Sequence, residues 1–388
     1  MNLMSSRTEP KEFIKHLPEL DGVRGLAIIL VLLTHFLIDD RSTMMSCALS
    51  KIGSFGWVGV DLFFVLSGFL ITGILLKTKD STETNYFINF YARRSLRIFP
   101  LYYGVLFIVF IMLPLASAEW KREISSIALH QCSLWLYLSN FDITAHLQWL
   151  YSCRFVSMNH FWSLAVEEQF YLIWPWAVYF LNRRTLMGIA LAAGFIALFL
   201  RYYWSAIAYN SMACYVLMPC RMDSLAFGAF VALSLNGPHG LSGLLRPAVT
   251  VFILSAFTCL AVYMEKKMWS TSVLGVTTIG ISAQSLLFAS GIVLLLAASR
   301  ESLPKKFFML PWLRLLGKYS YGLYVFHNML LPALCIWFPL EMLSSKLHSV
   351  GAAQIGFFMI GTLISLSISV LSYNFFEKPF LNLKSYFN

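Results

Sequence analysis

Arg24 and His35 lie at the two ends of one apolar run, Arg24-Gly25-Leu26-Ala27-Ile28-Ile29-Leu30-Val31-Leu32-Leu33-Thr34-His35. At helical rise they are about 16 Å apart along a single helix. The arginine can therefore lie at a membrane surface while the imidazole reaches the hydrocarbon interior, where an ionisable group is a functional candidate. Other polar groups stand in equally apolar surroundings. Asp61 follows Gly56-Trp57-Val58-Gly59-Val60, Glu167 and Glu168 follow His160-Phe161-Trp162-Ser163-Leu164-Ala165-Val166, and Arg221 is two residues from Asp223. Such groups must face one another or a wet cavity. A histidine beside a carboxylate is the usual arrangement for a general base held in one tautomer. The same residues read equally as a structural ion-pair network.

A second constellation is Phe90-Tyr91-Ala92-Arg93-Arg94-Ser95-Leu96-Arg97. Guanidinium forks match the oxygens of phosphate, so a phosphorylated carrier such as a coenzyme A thioester is a natural ligand. An ordinary basic loop that fixes topology or meets anionic lipid would carry the same charges. The seven cysteines are scattered, with no C-x-x-C pair and no Cys/His cluster at metal spacing. The expectation is therefore of no metal. A disulfide among Cys47, Cys132 and Cys153 is left open.

The elements that must position these groups are membrane helices. Apolar residues make up 58% of the 388 and charged residues 12%, about half the charge of a soluble domain. Long uncharged runs recur over nearly the whole length, which excludes a soluble protein with one anchor. The net charge of +10 belongs to cationic loops rather than to a nucleic-acid surface. Residues 1–20 are polar and basic and read as a cytoplasmic segment. Spans are expected at about 22–38, 52–76, 99–118, 161–181, 186–203, 214–235, 247–264, 273–299, 319–340 and 350–376. This is an all-α polytopic protein of about ten transmembrane helices. Residues 119–159 read as a re-entrant or external element, because a span there would put Arg183 and Arg184 on the wrong side. With that assignment most of the Lys and Arg fall on the side of both termini, which makes that side the cytoplasm.

Several stretches in order resemble one family. Arg24 and His35 match the R-x10-H motif of the membrane acyltransferase 3 family, which includes O-antigen and exopolysaccharide O-acetyltransferases. Arg94-Ser95-Leu96-Arg97 matches its R-x-x-R motif, and Ser163-Leu164-Ala165-Val166-Glu167-Glu168-Gln169-Phe170-Tyr171 its S-L-x-x-E-x-x-F-Y motif. The Asp61 stretch with Phe63-Phe64-Val65-Leu66-Ser67-Gly68-Phe69 resembles its second helix. Tyr319 to His327 and Phe376-Glu377-Lys378-Pro379 resemble its late motifs. Many members carry an extracellular hydrolase-like domain after the membrane part. With the last residue at Asn388, the expectation here is one membrane domain over 1–388 without it.

The resemblance implies an O-acyltransferase of the bacterial inner membrane, both termini cytoplasmic. It would move acetyl or another short acyl group from cytoplasmic acyl-CoA to a hydroxyl of a surface glycan or lipid-linked glycan. His35 is then the base, with Glu167 orienting the imidazole and Asp61 beside it. Arg24, Arg93, Arg94 and Arg97 grip the coenzyme A phosphates. His160, Ser163, Tyr171, Arg221 and Asp223 line the substrate. A covalent acyl-histidine route stays open. Other classes also stay open: a proton-coupled transporter with His35, Asp61 and Glu167 as a relay, and a membrane interaction subunit with structural ion pairs.

Overall fold

The computed structural model describes residues 17–80 and 85–387, and among them the only extended pairing is an isolated bridge between Ser152 and Ser157. Residues 1–16, which make up most of the expected cytoplasmic segment, lie outside the described residues. Ten helices of 17 to 27 residues carry the fold. They are α1 (Pro18–Phe36), α2 (Val58–Asp80), α3 (Tyr86–Phe107), α4 (Phe161–Phe180), α5 (Arg183–Tyr202), α6 (Met218–Leu235), α7 (Gly240–Lys266), α8 (Ile281–Ala297), α9 (Ser320–Trp337) and α10 (Val350–Ser372).

Each stretch expected as a span is helical, but length and apolarity do not support all ten as crossings. Among the described residues seven helices are long and apolar enough to cross a membrane, or eight if α9 and Leu340–Leu347, bent by 61°, form one span. The physical reason is charge. Helix α1 carries Glu19, Asp21 and Arg24 in its first two turns, and α4 carries Glu167, Glu168 and Gln169 midway. Residues 118–160 contain only short helices, Ala118–Glu123, Ser125–Ala128, Gln131–Trp135 and Ser139–His146, so no span crosses there. All seven cysteines, Cys47, Cys132 and Cys153 included, are free thiols.

Pro18 opens α1 where its missing N–H costs nothing, and Glu19 and Asp21 complement the positive helix end. The core is the crossing of α2 with α6. The span windows containing them are 72% buried, against 11% for α7, which faces outward. The crossing is close because both helices place glycine at it. A Cβ on Gly68 would collide with the Leu225 carbonyl, and one on Gly228 with the Val65 carbonyl. Small residues at such contacts let membrane helices pack backbone to backbone. Helix α1 lies against α2, α9 and the short helix Pro311–Lys318, and α4 packs on α2, α6 and Ser139–His146. The pieces of sequence that carry the polar groups are thereby brought around one interior.

Candidate active site

Helix α2 supplies one wall of a cavity of ≈ 600 Å³. Val60, Phe63, Phe64, Ser67, Leu70, Ile71, Ile74, Lys77 and Thr78 line it at three- and four-residue spacing, a stripe along one helix face. From Val60 to Thr78 that stripe runs about 27 Å, close to the roughly 30 Å of a bilayer's hydrocarbon core. Arg24, Arg93, Arg94, Arg97 and Lys384 also line the cavity, with Arg94 meeting Tyr171 at the level of Ser67, midway along the stripe. At the Val60 end are Ser163 and Tyr324, with Glu167 and Glu168 on the wall.

The arginines differ in what holds them. Arg24 pairs with Asp21 at 3.1 Å, one helical turn away. Arg94 donates to the Tyr171 hydroxyl at 2.6 Å and lies 4.3 Å over that ring, and Tyr171 donates to Glu167 Oε2 at 2.9 Å. The Ser67 hydroxyl closes on the same Tyr171 oxygen. Glu167 therefore fixes an arginine through a tyrosine. Arg93 is exposed and, among the described residues, reaches only the Phe387 carbonyl at 3.5 Å. Arg97 makes no hydrogen bond or ion pair among the described residues, so its whole fork faces the cavities it lines.

Behind Ser163 and Tyr324 three imidazoles meet. The His327 ring lies 4.8 Å from that of His35 and 5.1 Å from that of His160. His35 Nδ1 donates to the Val31 carbonyl at 3.0 Å, one turn back on α1, which leaves the lone pair on Nε2. His327 Nδ1 donates to the Tyr324 carbonyl at 2.7 Å and the Leu323 carbonyl at 3.0 Å, and its buried Nε2 has no partner. His160 Nε2 donates to the Val325 carbonyl at 3.1 Å, and its Nδ1 accepts from Asn328 at 3.2 Å. The Ser163 and Tyr324 hydroxyls lie against each other and within 3.1 and 3.2 Å of the His160 carbonyl, so one donates to the other and the other to the carbonyl. In each of the three rings one nitrogen donates to a backbone carbonyl, and the Nε2 atoms of His35 and His327 are left unengaged.

The structure parts several residues that the sequence analysis placed together. Glu167 does not orient His35: no hydrogen bond or ion pair joins them, and the Val31 carbonyl does that work. Asp61 is not beside His35 either. Its carboxylate is fully buried, 2.5 Å from Arg221, and takes further hydrogen bonds from Gln284 at 2.7 Å and Ser224 at 3.1 Å. Asp223 pairs with Arg201 at 2.8 Å, and Ser282 donates to the same carboxylate at 2.7 Å. Arg221 and Asp223 do not line the cavity; with Asp61 and Arg201 they form an ion-pair core between α2, α5, α6 and α8. A buried charge that is paired and hydrogen-bonded is what a low-dielectric interior demands. A relay from His35 through Asp61 to Glu167 is not assembled.

Sequence reasoning missed His327 and Tyr324 as site residues, although Tyr319 to His327 had been singled out and an imidazole in so apolar a helix was itself a signal. Lys77 and Lys384 gave none, because only the fold brings them to the arginines. Another grouping also escaped it. His130, Asp142 and His146 converge in the 118–160 segment, away from the cavity. Burial pushes the Asp142 carboxyl up, but hydrogen bonds from Tyr151 and Ser133 and the nearby His130 outweigh it and hold the group below its usual range.

A model of the acyltransferase domain matches residues 17–374. The O-acetyltransferase OatA of Staphylococcus aureus is 26% identical over 94% of this chain and 57% of its own length. The peptidoglycan O-acetyltransferase OatA of Listeria monocytogenes is 27% identical over 94% of this chain and 56% of its own. The putative peptidoglycan O-acetyltransferase YrhL of Bacillus subtilis is likewise 27% identical, over 94% and 55%. The chain thus spans little more than half the length of these relatives. No solved structure matches it.

Proposed function

From a chain that belongs to the acyltransferase family over residues 17–374, we propose a membrane O-acyltransferase that takes an acetyl or other short acyl group from acyl-CoA and delivers it to a glycan hydroxyl. The single observation that carries this reading is the cavity. It joins a cluster of cations to the wall of an imidazole cluster, with Arg24 and His35 about 16 Å apart along α1. The phosphates of coenzyme A suit the arginine end, where Arg94 is pre-set by Tyr171 and Arg97 is unengaged. An extended thioester arm then runs along the α2 stripe towards Ser163 and Tyr324.

The chemistry needs one base at that end. His35 Nε2 takes the proton of the acceptor hydroxyl, whose oxygen bonds to the acyl carbon. The carbon–sulfur bond breaks, and the leaving thiolate receives the proton. The Val31 carbonyl fixes the tautomer that makes Nε2 the base. The arginine end lies at the cytoplasmic face on this reading, and the acceptor approaches from the other. The names of the relatives favour peptidoglycan over a lipopolysaccharide as the glycan.

The test is acyl transfer by the purified protein in detergent or vesicles, with mass spectrometry of cell-wall glycan from cells with and without it. Protein-dependent loss of acetyl-CoA and gain of ester-linked acetyl on the glycan are expected. A protein that neither binds nor consumes acyl-CoA would overturn the reading.

A further inference from the structure

We propose that His130, Asp142 and His146 form a divalent transition-metal site, zinc-like in its donor set, that clasps the 118–160 segment. Each of the three offers a ligand atom, and these atoms lie within 4.8 Å of one another. His130 Nδ1 is 3.0 Å from Asp142 Oδ2, and His146 Nδ1 is 3.1 Å from Asp142 Oδ1. Zinc bound tetrahedrally to a histidine nitrogen and a carboxylate oxygen at about 2.0–2.1 Å each holds the two about 3.3 Å apart. Each histidine nitrogen stands within a few tenths of an ångström of that spacing from one carboxylate oxygen, His130 from Oδ2 and His146 from Oδ1. Two imidazoles with one carboxylate is a recurring donor set for zinc and for other first-row ions.

The surroundings also suit a metal. Ser133 and Tyr151 donate to Asp142 Oδ2 at 2.9 and 2.7 Å, which orients the carboxylate between the two imidazoles. His146 is exposed and His130 partly so, which gives an entry path and room for water to complete the coordination. The fold has a use for such a clasp. The helices Gln131–Trp135 and Ser139–His146 have five and eight residues, too few to be stable on their own. Tyr137 and Leu147, which flank the second of them, are held at φ 53° and 56°, a backbone region that side-chain-bearing residues adopt at a cost. The ion would join residues from the two helix ends, 130 on one side and 142 and 146 on the other. It would hold Asn140 against Gln169 of α4, where the amides bond at 3.1 and 3.0 Å. The site is separate from the proposed acyl-transfer cavity, which none of its ligands lines.

The experiment uses the full chain purified in detergent on a histidine-free tag, stripped with chelator, and titrated with zinc by calorimetry. One equivalent is expected to bind, and cobalt in its place is expected to give the intense visible bands of a low-coordinate site. Asp142→Asn and His130→Ala should each lose the equivalent. His146→Ala removes the exposed ligand, leaves the hydroxyl contacts of Asp142 in place, and should weaken binding at least tenfold with unchanged elution on size exclusion. Hydrogen exchange over residues 131–147 should slow on adding zinc to wild type and not to His146→Ala. Absence of a stoichiometric equivalent in wild type, or its full retention in the His146→Ala and Asp142→Asn variants, overturns the proposal.

Discussion

His35 has one ring nitrogen committed to a carbonyl and one free, which makes a sharp prediction about a single atom. His35→Ala should lower acyl transfer by roughly 10²–10⁴, the usual worth of a positioned base. Acyl-CoA affinity and thermal stability should stay near wild type, because Val31 loses only a side-chain partner. Near-full turnover would remove His35 from the mechanism. At the arginine end, Arg94→Lys with Arg97→Lys keeps both charges but loses the planar forks and the seat on Tyr171. Calorimetry on the double variant should show weaker acyl-CoA binding with a steeper loss at high salt, and equal affinities would leave these residues as topology determinants. Asp61 belongs to a different account. Asp61→Asn strands the fully buried Arg221 charge, which costs roughly 3–5 kcal/mol. The expected result is a large drop in the detergent melting temperature, not a selective loss of chemistry. A stable but inactive Asp61→Asn protein would return Asp61 to the site.

At the scale of elements, the α2–α6 crossing decides whether the cavity exists, since α2 carries its lining stripe and α6 backs it. Gly68 and Gly228 let the two backbones meet. Gly228→Val forces a branched side chain onto the Val65 carbonyl, and overpacking of this kind costs about 1–3 kcal/mol. The variant should melt earlier and lose acyl-CoA binding together with stability, because the displaced helix carries Phe64 and Ser67 away from α4. Gly188, by contrast, has nothing within 4 Å of its Cβ position. Gly188→Ala should therefore be neutral in the same melt, and a matched loss would show that the crossing has no special standing. Burial sorts the helices the same way. The cavity is lined from α1, α2, α3, α4 and α9 with Lys384 beyond α10, and the outward-facing α7 contributes nothing to it.

For the whole molecule, the proposed topology presents the arginines to one aqueous phase and the 118–160 segment to the other. A single cysteine at Ser139, in a background without exposed native thiols, should label with an impermeant reagent added from the side opposite to one placed at Lys77. Labelling of both from the same side would invert half of the topology. It would also remove the reason for a cavity about as long as a bilayer is thick. Charge on α1 and α4 is what keeps the fold from announcing all its crossings by hydropathy. Of the polar residues that make these helices less apolar, Arg24, Glu167 and Glu168 line the cavity, whereas Glu19 pairs with Lys305 and Gln169 bonds Asn140.

Much was legible in the sequence because membrane helices follow from composition and spacing. Runs of apolar residues without charge must be helical in lipid, since no other open structure pairs its backbone there, and all ten stretches are helices. Arg24 at one end of α1 and His35 at the other follow from helical rise alone, and the arginines at the start of α3 were visible as a group. What spacing cannot supply is which helix faces which. Asp61 and Glu167 looked equivalent, two carboxylates in apolar helices. Only the packing of α6 against α2 gives Asp61 to Arg221, and only the approach of α3 brings Arg94 to Tyr171, which Glu167 meets one turn away on its own helix. His327 joins His35 across some 290 residues, and His130 joins Asp142 across a turn of irregular helices, pairings that no local pattern encodes. The sequence by itself determined the helices and the depth of each polar group within them. The tertiary structure decided the partners beyond a helix's own turns, because a buried polar group is defined by the nearest groups able to satisfy it, and past the local turn those lie on other helices of the bundle.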